Sequence, residues 1–255
     1  QGRAAGVEVN LNSGAAGAGS SVQLRGINSL NSTNEPIYVI DGAIVQSSSG
    51  SDVYSNPLAD LNPNDVESIE ILKDASATAI YGSQAANGVI IVNMKKGKEG
   101  APKINIKASA GLDQLPKYLD VMNLSEFAHW AYDAKKLEGK EIERFKDWES
   151  LGEGTDWQRE IFRLGVRQDY NVSIRGGKNN TTYSISAGYY NQRGIIINND
   201  FQRFNIRGNI EIKPYKWMET GLTFSLNQTD RNTGMASWGV VAAALQGLPN
   251  FAVRD

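Results

Sequence analysis

Five stretches in the second half of the chain place apolar residues at every second position. In QDYNVSIRG, Tyr170, Val172 and Ile174 alternate with Asn171, Ser173 and Arg175. In TTYSISAGYY, Tyr183, Ile185, Ala187 and Tyr189 alternate with Ser184, Ser186 and Gly188. In FQRFNIRGNIEIK, Phe204, Ile206, Ile210 and Ile212 share one parity, and Arg203, Asn205, Arg207, Asn209 and Glu211 the other. KWMETGLTFSLNQ sets Met218, Leu222, Phe224 and Leu226 against Glu219, Thr223, Ser225 and Asn227. KINIKASAG sets Ile104 and Ile106 against three polar residues. Period two is the signature of strands with one oily and one wet face. GGKNN (176–180) and KPYK (213–216) read as hairpin connections. Tyr170, Tyr189, Tyr190, Phe201, Tyr215 and Trp217 fall near strand ends, a distribution like the aromatic girdles of membrane barrels.

The first hundred residues follow a different rhythm. VEVNL and VQLRG are short alternating strands joined by the small-residue loop NSGAAGAGSS. PIYVID is a strand that ends in a tight turn at Asp41-Gly42. Asn62-Pro63 opens a helical turn with Asp65 near its positive end. SIEIL is the next strand. Asp74 is placed to cap a helix over ASATAIY, and Gly82 suits its left-handed end. GVIIV is apolar throughout, as expected of a strand covered on both faces. The connection 73–88 is long enough for a right-handed parallel crossover between the last two strands. KKGKEGAP (95–102) marks the change from this α/β unit to the alternating strands.

A helical insertion is expected at about 115–166. Asn123-Leu-Ser-Glu126 has the form of a capping box, with Phe127, Trp130, Ala131 and Ala134 as one stripe. Thr155-Asp-Trp-Gln158 opens a second helix, with Trp157, Ile161 and Leu164 on one face and Gly165 as terminator.

Composition narrows the chemistry. The charges nearly balance, 26 basic against 28 acidic, which excludes the basic excess of a dedicated nucleic-acid binder. There is no Cys and a single His, His129, so thiolate or multi-histidine metal sites are excluded. No run approaches the ~18 apolar residues of a membrane helix, which leaves strands as a means of spanning. The opening QGRAAGVEVNLNSG has no signal-peptide pattern and reads as the interior of a longer chain. Asp41, Asp65 and Asp74 could form an acid/base set, but turn and helix capping explains each of them. Ser76 and Ser83 have no nearby histidine in sequence, and GAAGAG lacks the setting of a phosphate loop. Tyr189, Tyr190 and Trp238 are candidates for stacking on sugar rings, with girdle or core packing as the alternative use.

VQLRGINSLNSTNEPIYVIDG, LNPNDVESIEILKDASATAIYGSQAANGVIIVNMKKGK and TDWQREIF resemble the SusC/RagA family of TonB-dependent outer-membrane transporters. GIIINNDFQRFNIRGNI resembles the hairpin that follows. The resemblance implies an α+β plug domain, a mixed small sheet with short helices, over residues 1–100. Residues 101–255 would then be the first antiparallel strands of an incomplete large transmembrane β-barrel, a class with about 22 strands when closed. Arg25, Gly26, Asp41, Gly42, Asp74, Tyr81, Gly82 and Gly88 stand as the plug's structural motif. Arg175, Arg203, Arg207, Glu211 and Glu219 stand as lumen-facing residues. The implied partners are a SusD-like surface lipoprotein, the TonB complex, whose binding segment is not expected in this stretch, and outer-membrane lipid. No cofactor, no catalysis and no nucleic acid are implied. The cargo would be oligosaccharides or peptides, and the location the bacterial outer membrane. A soluble or surface β-rich module that binds a glycan or protein is the alternative reading.

Overall fold

The computed structural model describes the chain apart from residues 1–6, 12–13, 25, 27–34, 46–56, 59, 74–78, 141, 234–236 and 254–255. Two compact units are formed. One contains residues 1–111, 166–193 and 200–232; the other contains 112–165, 194–199 and 233–255.

Among its described residues the first unit holds three sheets. Strands β1 (Val7–Leu11) and β2 (Ser20–Leu24) make an antiparallel pair. Strands β3 (Ile37–Ile40), β4 (Ala43–Val45), β5 (Val66–Leu72) and β6 (Val89–Met94) form a mixed sheet in the order β4-β3-β6-β5. Here β3 runs parallel to β6, whereas β5 runs antiparallel to it. The expected parallel crossover from SIEIL to GVIIV is therefore wrong. Within 73–88 the described residues form two single 3-10 turns, Ala79–Tyr81 and Ser83–Ala85, and the chain reverses instead of crossing the sheet. The parallel pair comes from β3 and β6, whose long connection contains β4 and β5. Asp74 and most of the expected helix 75–81 lie outside the described residues.

β6 is covered on both faces, as its unbroken apolar run predicts. Ile90, Val92 and Met94 pack with Val22, Leu24 and Tyr38 on one side. Val89 packs with Ile37, Val39 and Ala85 on the other, with Tyr81 against them. The loop between β1 and β2 is more than a linker, since Ala15 and Ala16 are buried.

The third sheet is a five-stranded meander of β7 (Gly100–Asp113), β8 (Gly165–Lys178), β9 (Thr181–Arg193), β10 (Asn199–Tyr215) and β11 (Met218–Thr233), in sequence order. Each strand has 13 to 17 residues, two to three times the usual ~5–6. β8 and β9 join through Asn179-Asn180, both at positive φ (52° and 61°), a conformation that asparagine tolerates and a two-residue hairpin requires. The β10–β11 connection is shorter than KPYK suggests. β10 continues through Pro214 to Tyr215, and the turn is Lys216-Trp217.

In the second unit, α1 (Leu124–Leu137) carries the expected capping box. Asn123 accepts from the Glu126 amide at 2.8 Å, and the Glu126 carboxylate accepts from the Asn123 amide at 3.0 Å. Its buried stripe is Ala128 and Ala131 with Phe127, packed on Phe145; Trp130 lies outside it, 58% exposed. His129 stacks on Trp148 with ring centroids 4.0 Å apart. The second helix, α2 (Trp157–Ile161), is capped by Asp156, not Thr155, because the carboxylate reaches the amides of Gln158 and Arg159. It stops well before Gly165, which begins β8, and Leu164 is exposed. A third helix, α3, spans Ser237–Gln246.

Candidate functional site

The long sheet is inverted relative to a water-soluble one. On β8–β10 the buried residues other than Phe201 and glycines are polar: Asn171, Ser173, Ser184, Ser186, Asn199, Arg203, Asn205, Arg207 and Asn209. The apolar parity is open: Tyr170, Val172, Ile185, Tyr189, Phe204, Ile210, Leu222, Phe224 and Leu226 are each more than a third exposed. What buries the polar face is the small mixed sheet and its turns. A buried polar group without a partner costs roughly 1–3 kcal/mol, so this interface is a network of hydrogen bonds and ion pairs.

Strand register builds the wall in rows. Asn171 pairs with Gly188, and Gly188 with Asn205. The next row is Ser173, Ser186 and Arg207, and the one after it Arg175, Ser184 and Asn209. Asn209 donates to Thr223 of β11 at 2.9 Å, which extends the polar surface by one strand.

The contacts of the small mixed sheet and its turns with this wall include three polar clusters. The first is the β3–β4 turn. Asp41 has φ 48° and Gly42 φ 86°, so the turn needs a glycine at its second position and a residue tolerant of the left-handed region at its first. Asp41 accepts from the Met94 amide at 2.9 Å with one carboxylate oxygen and forms an ion pair with Arg207 through the other. Both side chains are largely buried.

The second is the single 3-10 turn Pro63–Asp65. Asn62 caps it by accepting from the Asn64 amide at 2.9 Å. Asp65 is 5% exposed. It receives hydrogen bonds from Ser186 and, at 3.4 Å, from Asn205. Burial pushes its carboxyl above the usual range; the Ser186 bond and the charges of Arg207, Lys95 and Arg175 only partly offset this.

The third is the lysine segment after β6. Lys96 pairs with Glu211 of β10 at 2.6 Å, and that bond raises the Lys96 pKa. Lys95 donates to the Asn64 carbonyl at 2.7 Å; burial, then the charges of Arg175 and Lys107, lower its pKa. Lys98 pairs with Glu67 at 2.9 Å, holding that carboxyl below its usual range. Lys107 of β7 donates to the Asn64 side chain at 3.1 Å.

Of the residues named from sequence, Asp41 and Arg207 meet directly, and Glu211 is engaged by Lys96. Arg203 lies over the Tyr190 ring, 5.6 Å from its centroid. Arg175 is half-buried, and its charge acts on Asp65 and Glu67. Glu219 stands apart in an exposed pair with Lys213 at 3.4 Å. Gly88 has φ 97°, and a Cβ there would strike Leu24. Gly26 and Gly82 also have positive φ, and Arg25 lies outside the described residues. Two of the six girdle aromatics belong to the inner face. Phe201 is buried beneath Gly17, whose missing Cβ leaves room for the ring, and Tyr190 packs edge-on against Phe201. Tyr170, Tyr189 and Phe204 lie opposite one another in one outward row. Tyr215 and Trp217 stack at the other end of β10, 5.6 Å between centroids. From sequence, Asn62 reads only as the opening of a turn, Asn205 only as a residue of the polar parity and Lys96 only as part of the boundary segment 95–102. Their signal is the polar parity of β10 read together with the turn Asn62-Pro63-Asn64-Asp65 and the lysines that follow β6.

A family model described as the TonB-dependent Receptor Plug Domain matches residues 1–89. The TonB-dependent receptor SusC of Bacteroides thetaiotaomicron is 39% identical over 250 residues, which is 94% of this chain and 24% of SusC. The chain belongs to the SusC/RagA family of TonB-dependent receptors. A TonB-dependent receptor of Formosa agariphila is 34% identical over 98% of the chain and 25% of its own length. The solved RagAB peptide transporter superposes with a TM-score of 0.79 at 30% identity, covering 91% of this chain and 28% of that one. The ferric enterobactin receptor of Pseudomonas aeruginosa shares the fold alone, with a TM-score of 0.53 at 14% identity. This SusC/RagA chain thus spans about a quarter of the length of the curated relatives it matches. Its two modules are a plug domain and an antiparallel sheet that is open at β7 and β11.

Proposed function

We propose that this chain is the plug, residues 1–100, and the first barrel strands, from residue 101, of an outer-membrane importer. The importer takes up oligosaccharides by TonB-energised displacement of the plug, with a SusD-like lipoprotein over its outer mouth. One observation carries the reading: Arg203, Asn205 and Arg207 are buried while Val172, Ile185, Phe204 and Ile210 of β8–β10 are open. In water that arrangement wastes apolar burial; in lipid it is the stable one. The outward parity of β10 runs without a charge from Phe204 to Ile212, roughly 26 Å of strand at ~3.3 Å per residue. At the usual barrel tilt this projects to about 19–22 Å, most of the ~25 Å apolar band of outer-membrane barrels. Arg175, Arg203, Arg207, Glu211 and Glu219 then face the lumen. The helical insertion at about 115–166, which contains α1 and α2, is then an extracellular loop.

A peptide cargo is the second reading, supported by the likeness to RagAB, which is named a peptide importer. The test is uptake of labelled oligosaccharides and labelled peptides by cells that carry the full-length protein, with and without a working TonB. Oligosaccharide uptake that disappears without TonB is expected. A full-length protein that stays in solution without detergent would overturn the membrane reading.

A further inference from the structure

Gly188 sits at the centre of the wall row Asn171–Gly188–Asn205. It is a hole in an otherwise continuous polar surface, flanked by two asparagines that are almost fully buried. A Cβ built on Gly188 would lie 2.6 Å from Nδ2 of the plug's Asn62 and 2.6 Å from Oδ1 of Asn205. Gly188 has ordinary strand geometry, so the glycine answers to space and not to backbone conformation. Neither crowding group is a loose end. Asn62 is 5% exposed, and its Oδ1 is held by the Asn64 amide, which turns its Nδ2 toward the wall. Asn205 is held from behind by its own Nδ2, which donates to Asp65 at 3.4 Å. Asp65 is in turn bonded to Ser186, one row further along the wall.

We propose that Gly188 is a positioning residue: its missing side chain is the keyhole that admits Asn62 and so sets where the plug rests against the wall. Charge alone does not define that position. Arg207, Lys96 and Glu211 are long side chains that keep their pairings through shifts of an ångström or more, whereas the Asn62 tip fits only opposite a residue without a Cβ. The keyhole therefore fixes the location, and the ion pairs hold the plug there. This rests on the reading of the sheet as part of a plugged pore.

The test is passive conductance of the full-length protein in planar lipid bilayers, with a plug-deleted form as the measure of the open pore. Gly188→Ala is expected to raise the frequency of open events several-fold over the native protein. Asn62→Ala combined with Gly188→Ala removes the crowding from the plug side while the contact with Asn205 stays, and is expected to bring the leak below that of Gly188→Ala. A purely structural defect in β9 would not be rescued from the plug side. If Gly188→Ala does not insert, Asn62→Gln pushes a longer side chain at the intact hole and is expected to leak in the same way. The inference is overturned if Gly188→Ala and Asn62→Gln both stay as tight as the native protein, or if the double variant leaks at least as much as Gly188→Ala. A plug-deleted form that conducts nothing would remove the pore reading, and this inference with it.

Discussion

Arg207 of β10 and Asp41 of the β3–β4 turn are 166 positions apart in the chain, and their side chains form an ion pair at the plug–wall interface. The same Asp41 holds the end of β6 through the Met94 amide, so one carboxylate joins the plug's central strand to the wall. Removing one partner of such a pair leaves the other buried and uncompensated, at a cost of about 3–5 kcal/mol. Arg207→Met and Asp41→Asn, the latter keeping a residue that tolerates the left-handed turn, should each make the plug of the full-length protein more sensitive to limited proteolysis. The double variant should be less sensitive than either single one. Additive sensitivity would show that the two residues act independently.

Asp65 predicts a pH dependence of definite sign. Its carboxyl is raised above 3.8 when the plug is seated, so the seated state binds the proton more tightly. The stabilisation from protonated Asp65 is complete below 3.8 and is lost as pH rises through the raised value. Asp65→Asn should therefore increase thermal stability at pH 7, with the gain shrinking on acidification through that window. Glu67, lowered by Lys98, acts in the opposite direction, so the comparison is made against Glu67→Gln. A destabilised Asp65→Asn protein at pH 7 would mean that the ionised carboxylate is worth more than its burial costs.

The open apolar face sets a third expectation. Ile210 lies between the Phe204 and Tyr215 levels of β10 and is 40% exposed. Ile210→Arg should destabilise the full-length protein in vesicles by roughly 2–4 kcal/mol in urea unfolding, whereas the same change near an aromatic level should cost ~0–1 kcal/mol. Equal costs at the two depths would argue against a lipid-facing surface.

Asn123 tests the helical insertion separately. Its side chain and that of Glu126 satisfy each other's amides at the start of α1. Asn123→Ala should cost about 1 kcal/mol of local stability, read as faster amide exchange in the first turn of α1 with β8–β10 unchanged.

Much of this molecule is legible without coordinates, for reasons that belong to the chain itself. Period two assigns Arg203, Asn205 and Arg207 to one face and Phe204, Ile206 and Ile210 to the other. The turn at Asp41-Gly42, the capping box at Asn123 and the unbroken run of β6 depend on backbone conformation and on neighbours a few residues away. Other features depend on distant partners and fail from local rules. β5 lies antiparallel to β6 because strand partnership is a property of the sheet, and the length of 73–88 allows either direction. Trp130 lies outside its expected stripe because α1 packs through Ala128 and Ala131 on Phe145, and Leu164 because α2 stops at Ile161. Asn62 and Asp65 read as ordinary capping residues, and only tertiary contact turns them into the plug's foot on the wall. Local alternation by itself determined which side chains share a face. The three-dimensional arrangement decided which face is hidden, because burial belongs to whatever lies opposite: here a polar plug inside, with the apolar side left open.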